Sequence, residues 1–494
     1  MRDGLNKIYT KAVVAVGSRW MLAVIILIFI LQSLWIAFSF RYPMVYDESF
    51  HFPVIQIFSH ELDPFITEQP RAYDTYGDLQ YTNSVFYHYV MSWPYRIIEL
   101  FTQHEPYQVV GLRVLNVFMA AAGLYVFARL FREIKIKQTY INAGLLVFTL
   151  LPIVPFVAAH VSYDNLLFLL TAVYLLIAVK IIQDKNIIWS DYAWLITIGC
   201  FAALVKFTFL PIFAASVLFL VGLLFKRYGR DFIVKILKSF QASAKRLQLI
   251  TTMTLVLFIS LFSITYIVPT IEYGSPTPNC FATMSKDRCM TGRNGRLIER
   301  GAEARATKEG RTALLLPIFT QSWISNMTIL TGSTGSTYFL SGTFAKVMPL
   351  VMSLVFFGAL VGVAALLYAW RSLQKNDSWY LLVFITFTLF MAVYYTNLTD
   401  YFETRQFLAN QPRYLLSVIP IITVMIITAI AYAFRNYGWM KLGMLVAAMA
   451  LFTQGGGVIT HILRSEDSWY WQNSTVIEAN HKAKAILQPL VKEN

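Results

Sequence analysis

Long apolar stretches recur from one end of the chain to the other, separated by short polar and mostly basic segments. Runs such as Trp20 to Phe40 and Ala143 to Ala159 are apolar on every helical face. A barrel strand would instead alternate apolar and polar positions over about ten residues. Crossing a hydrocarbon core takes about 20 apolar residues of helix, so the pattern predicts an all-α, polytopic membrane helical bundle. Spans are expected near 19 to 40, 112 to 131, 140 to 159, 163 to 182, 190 to 206 and 207 to 225. Further spans are expected near 249 to 268, 344 to 369, 378 to 396, 413 to 434 and 440 to 460, which makes about eleven transmembrane helices.

The stretch from 84 to 101 is apolar but carries Tyr87, His88, Pro94 and Arg96, and its length and polarity predict an interfacial helix. With that stretch left out of the span count and the N-terminus inside, five basic segments share the cytoplasmic side. They are Arg129 to Lys137, Lys180 to Lys185, Lys226 to Arg246, Arg371 to Lys375 and Arg435 to Lys441, as the bias of short basic loops requires. The chain then reads as one transmembrane domain, 1–494. Its non-cytoplasmic parts are a first external loop, 41–111, the turn His160 to Asn165, a long loop, 269–343, residues 397 to 412 and a C-terminal tail, 461–494. Asn326-Met-Thr, Asn397-Leu-Thr and Asn473-Ser-Thr, triplets of the glycosylation-acceptor type, fall on that side. The first apolar run lacks a small-residue cleavage site and reads as a retained signal anchor.

Composition agrees with a membrane solvent: 57% of the 494 residues are hydrophobic and only 14% charged, against roughly 25% charged in soluble domains. A formal charge of +14 then marks cytoplasmic loops and contacts with membrane lipids, and no nucleic-acid partner is expected. Of three cysteines, Cys200 lies in an apolar run, whereas Cys280 and Cys289 bracket a polar loop and are placed to pair in an oxidising compartment.

The first external loop opens with Tyr46-Asp47-Glu48-Ser49-Phe50-His51-Phe52-Pro53. Carboxylates beside a low-dielectric boundary are costly unless paired or used, which makes Asp47 and Glu48 the leading catalytic candidates. Two other readings stay open: Asp47 as the cap of a short helix starting at Glu48, or Asp47 with His51, four residues apart, as ligands of a divalent metal. Asp164, in His160-Val-Ser-Tyr-Asp-Asn165, reads either as a group binding sugar hydroxyls or as a helix cap. Lys206 interrupts an apolar stretch and calls for an anion, lipid phosphate or an ordinary headgroup. Arg413, in Asn410-Gln-Pro-Arg-Tyr414, can grip a phosphate through two parallel hydrogen bonds. Asp400, Glu403 and Arg405 either line the same cavity or are solvated. The long loop carries Lys286, Arg288, Arg293, Arg296, Arg300, Arg305, Lys308 and Arg311, a surface for a polyanionic or lipid-phosphate substrate or simply a solvated basic loop.

In their order along the chain these features resemble the GT-C superfamily of integral-membrane glycosyltransferases, which take a sugar from a polyprenyl-phosphate donor on the outer or lumenal face. The resemblance rests on the acidic motif Tyr46-Asp47-Glu48 followed by an interfacial segment. It also rests on Ser84-Val-Phe-Tyr-His, on Leu112-Arg-Val-Leu-Asn116, on Asp164 and Lys206, and on Gln411-Pro-Arg-Tyr-Leu-Leu. Asp47-Glu48-Ser-Phe-His51-Phe is similar to two groups within it: an uncharacterised bacterial family with Asp-Glu-x-x-His-Phe, and the eukaryotic glucosyltransferase that caps lipid-linked oligosaccharides. The Asp-x-Asp or Glu-x-Asp spacing of the metal-dependent oligosaccharyltransferases is absent, so no metal or other cofactor is implied.

The resemblance implies a polyprenyl-phosphate-linked sugar donor, undecaprenyl or dolichyl, and a lipid- or protein-linked glycan acceptor. It makes Asp47 the base and Glu48 its helper, with His51, Asp164, Lys206, Arg413, Tyr414 and Glu403 binding substrate. The location would be the plasma membrane, or the endoplasmic reticulum in a eukaryote, with the site on the non-cytoplasmic side. Rival readings are a lipid-linked glycan transporter or flippase, a polysaccharide polymerase or ligase, and a structural subunit.

Overall fold

The computed structural model describes residues 14–490 except 67, 81–84, 185, 308–315, 332–348, 374–375, 406–409, 436–442, 444–445, 448 and 451. Lys308, Arg311, most of the Gly-Ser-Thr run after Thr331 and parts of the expected 440 to 460 span therefore lie outside the described residues. Seven helices among the described residues are long and apolar enough to cross a membrane. Their cores are Arg19–Ser39, Glu105–Glu133, Tyr163–Gln183, Phe207–Tyr228, Lys245–Tyr273, Ser353–Trp370 and Asp377–Thr404. Trp189–Val205 and Ile419–Ala433 are apolar but shorter. The chain is an integral membrane protein of all-helical, polytopic architecture.

Local chemistry sets several boundaries. Ser18 caps Arg19–Ser39 by accepting from the Met21 amide, Ser162 caps Tyr163–Gln183 by accepting from Asp164, and Asn376 caps Asp377–Thr404 by accepting from Ser378. The expected continuous span from 140 to 159 is broken. Helix Gln138–Leu150 stops before Leu151-Pro152, and a short turn, Ile153–Ala158, follows, because proline removes a donor and crowds the preceding turn. Close approach elsewhere depends on glycine. A Cβ on Gly144 would sit 2.7 Å from the Val424 Cα, so Gln138–Leu150 and Ile419–Ala433 touch backbone to backbone there, as small residues permit between membrane helices.

The core runs through Phe127, Phe148 and Phe168, with Phe148 stacked on Phe168 and Phe127 tilted against it, joining Glu105–Glu133, Gln138–Leu150 and Tyr163–Gln183. Lys245–Tyr273 is its opposite: only 6% of its apolar window is buried, leaving a face suited to lipid. In the first external loop, Glu48–Ser59 packs on Phe86–Phe101, and Arg96 donates to the carbonyls of Phe58 and Ser59. Trp93, Ile97, Leu100 and Phe101 remain exposed on the second helix, the one-sided pattern expected of an interfacial element.

One end of the bundle collects these polar segments. Arg288 grips Asp74 at 2.6 and 2.8 Å, docking the long loop on the first one, and Cys280 and Cys289 are disulfide-bonded. Lys286 pairs with Glu299 at 2.7 Å, so part of that loop's positive charge is already matched internally. The tail returns to the same end, where Phe40 bridges Tyr470 and Asn480 donates to Ser39. Asn397, in one of the three glycosylation-type triplets, accepts from the Trp323 indole at 2.8 Å and is buried.

Candidate functional site

Two adjacent acids, Asp47 and Glu48, face different surroundings. Tyr46 and Asp47 both hold left-handed backbone, φ 68° and 70°, a conformation uncommon outside glycine and costly by about 1–3 kcal/mol each. That turn sends Glu48 into the protein and leaves Asp47 half-buried. Glu48 is fully buried, and Arg113, itself fully buried, holds it through two bonds of 2.9 and 2.7 Å. The amides of Met44 and Val161 also donate to this carboxylate, at 2.7 and 3.1 Å. The remaining Arg113 donors reach the carbonyls of Ala37 and Phe40 at the end of the first span. Burial pushes the Glu48 carboxyl upward, but the Arg113 charge and hydrogen bonds outweigh it and hold the group below its ordinary value.

Both Glu48 oxygens are thus engaged by protein donors, two on each. Glu48 ties the loop before Asp47 to the turn before Asp164. Arg113 was missed as its partner. The signal was available: an arginine inside an apolar run requires a buried anion.

Asp47 turns the other way. Its Oδ2 accepts from Arg413 Nη2 at 2.5 Å, while Arg413 Nη1 donates to the Tyr46 carbonyl at 2.9 Å. Asp47 does stand at the N-cap position of Glu48–Ser59, but its side chain makes no capping bond there. Burial raises its carboxyl; the Arg413 charge and hydrogen bond lower it further, with Arg293 and Lys206 adding to them, and it stays below the ordinary aspartate value. Asp164 lies 3.8 Å from Arg413 Nη1 and accepts from Lys206 Nζ at 2.5 Å. Tyr163 and Tyr414 flank that ammonium, their ring centroids 4.2 and 4.5 Å away, and Tyr46 flanks the Arg413 guanidinium at 4.9 Å.

Four charged groups thus converge in a quartet of two acids and two bases, formally neutral. The quartet's cations are carboxylate-paired, Lys206 with Asp164 and Arg413 with Asp47. Among the described residues, several buried polar atoms beside them lack a partner: Arg413 Nε, the Tyr46 hydroxyl, His160 Nε2 and Gln411 Oε1. Each is open to a bond from a polar ligand or from water.

His51 is fully buried and meets His88, Nδ1 to Nε2, at 2.9 Å, with Tyr163 edge-on at 4.5 Å. Burial, and then His88, push its imidazole well below the ordinary value, keeping it neutral. Asp47 and His51 therefore turn to different partners, and the two-residue metal reading is not assembled. Glu403 is exposed in the last turn of Asp377–Thr404, and among the described residues no ion pair joins it to the quartet.

Fold and site together define a polytopic membrane protein with an ion-pair quartet at one end of its bundle. No family model matches the chain, and no curated protein matches it. Among solved structures it is similar to the crystal structure of ArnT from Cupriavidus metallidurans bound to undecaprenyl phosphate, with a TM-score of 0.45 and 15% identity. The match covers 96% of this chain and 72% of that one, a likeness too distant to carry a conclusion about activity.

Proposed function

We propose that the protein is a glycosyltransferase moving a sugar from a polyprenyl-phosphate donor to a hydroxyl acceptor, with inversion, on the non-cytoplasmic face. The observation that carries this reading is the quartet Asp47–Arg413–Asp164–Lys206, at the membrane-helix ends and with Arg413 Nε unsatisfied. Phosphate oxygens of the donor accept from Arg413 and Lys206, drawing them from their carboxylates. Asp47, released from Arg413, accepts the proton of the acceptor hydroxyl as its oxygen attacks the anomeric carbon. The bond from that carbon to the phosphate oxygen breaks, and the electron pair leaves on the phosphate. The leaving group gains one negative charge, which the two cations stabilise, so no general acid is needed, unlike glycoside hydrolysis. Asp164 holds Lys206 in place, Tyr414 and Tyr163 screen the cations from water, and His51 shapes the neighbouring wall.

A transporter would carry its charged groups near mid-membrane in broken helices. Here Asp164 starts one span, Lys206 precedes another and Arg413 precedes the shorter apolar helix Ile419–Ala433. The test is purified protein with a panel of undecaprenyl- and dolichyl-phosphate sugars, parent against Asp47→Asn. Transfer from a polyprenyl-phosphate sugar, lowered about 10²–10⁴-fold in the variant, is the expected outcome for loss of a general base. Equal transfer by both proteins removes Asp47 as the base, and no turnover or binding of any such donor defeats the assignment.

A further inference from the structure

Far from the quartet, the connection between Phe207–Tyr228 and Lys245–Tyr273 contains a helix, Asp231–Ala242, none of whose residues is buried. Lys206 marks the quartet end of the first of these spans, so the connection lies at the opposite membrane surface. At 100° per residue the sequence Asp-Phe-Ile-Val-Lys-Ile-Leu-Lys-Ser-Phe-Gln-Ala places its apolar side chains on one side and Lys235 and Lys238 on the other. One edge of the apolar side is sheltered by Trp189–Val205: Phe240 packs edge-on to Trp189 at 5.0 Å, and Ser239 accepts from the Trp189 amide at 2.9 Å. The other edge is open, with Ile233, Val234 and Leu237 exposed by 55, 49 and 56%.

Cations crowd this helix. Arg230, Lys235, Lys238, Lys245 and Arg246 are exposed and, among the described residues, none has a carboxylate partner, while Asp231 is the one acid on the helix. We infer that Asp231–Ala242 is a membrane-surface helix that seats Ile233, Val234 and Leu237 at the acyl boundary and holds anionic phospholipid headgroups with the surrounding cations. The docked edge fixes the helix against the bundle, so it lies in the surface instead of extending from it, and the open apolar edge is long enough to enter only the boundary layer. Lipid of the same leaflet is the one partner that is both apolar at depth and anionic at the surface.

The test uses the full-length protein in nanodiscs of phosphatidylcholine, alone or mixed with phosphatidylglycerol. A nitroxide on Leu237→Cys reports depth; Cys280 and Cys289 are bonded and Cys200 is buried, so labelling is specific. The label is expected to be reached by dissolved oxygen and shielded from an aqueous nickel chelate. Native mass spectrometry is expected to show phosphatidylglycerol retained over phosphatidylcholine. Lys235→Gln with Lys238→Gln should cut that retention roughly fivefold per cation at low salt, with phosphatidylcholine retention unchanged. A label open to the nickel chelate in both discs, or equal phosphatidylglycerol retention by parent and variant, overturns the inference.

Discussion

Replacing Arg113 by Met tests the frame beneath the site without any assumption about its substrate. The substitution keeps an unbranched apolar stem in the buried position and removes the guanidinium and its charge. Glu48 is then left as a buried carboxylate with two backbone donors, the amides of Met44 and Val161. Breaking a buried pair by removing one partner costs about 3–5 kcal/mol, and Ala37 and Phe40 lose a donor to their carbonyls as well. Glu48→Met alone leaves the guanidinium unpaired and is expected to cost a similar amount.

The double substitution separates pairing from scaffolding. If charge compensation dominates, removing both partners abolishes the uncompensated charge, and replacing a whole buried pair with apolar residues is often near neutral. Here it is not expected to be neutral. The four backbone groups at Ala37, Phe40, Met44 and Val161 lose their partners, and each unsatisfied group costs about 1–3 kcal/mol. Water entry into the space left relieves part of that. The double variant should therefore be destabilised, yet by less than the sum of the singles, with a coupling of at least about 2 kcal/mol. Reversible unfolding in mixed detergent or bicelles reads all four corners of the cycle. Additive costs, with a coupling below about 0.5 kcal/mol, would refute the account of Glu48 and Arg113 as a paired unit.

Further expectations follow from the geometry around the quartet. Because Arg413 holds the Asp47 carboxyl below its ordinary value, kcat/KM should show no loss from Asp47 protonation until pH falls below about 4. In Arg413→Met burial prevails, the Asp47 pKa rises, and an acid limb should appear at higher pH; an unshifted limb in that variant contradicts the pairing. The same depressed pKa gives stability that is present above the unfolded aspartate value and lost as pH falls through the folded one, readable as a midpoint of unfolding against pH. Gly144→Ala should cost about 1–3 kcal/mol by overpacking, since the added methyl meets the Val424 backbone as well as its side chain, and turning the side chain away leaves the backbone clash; a neutral effect would show that Gln138–Leu150 and Ile419–Ala433 are less closely packed.

Much of this architecture is legible in the sequence because apolar length is a local property. The runs from 19, 163 and 378 became helices near the expected positions, and the acid and base residues of the quartet each stood out as a charge in or beside such a run. Their pairing was not local. Arg413 and Asp47 are 366 positions apart and Lys206 and Asp164 are 42 apart, and hydropathy carries no information about which buried charge meets which. Energetics demands only that each acid find some cation. Asp47, Glu48 and Asp164 face Arg113, Lys206 and Arg413, so several pairings satisfy that demand. The backbone chooses among them: left-handed Tyr46 and Asp47 rotate neighbouring carboxylates to opposite sides, sending Glu48 to Arg113 and Asp47 to Arg413. A one-residue difference in sequence thus becomes a difference between a group that holds the loop in place and one that faces the partly open site.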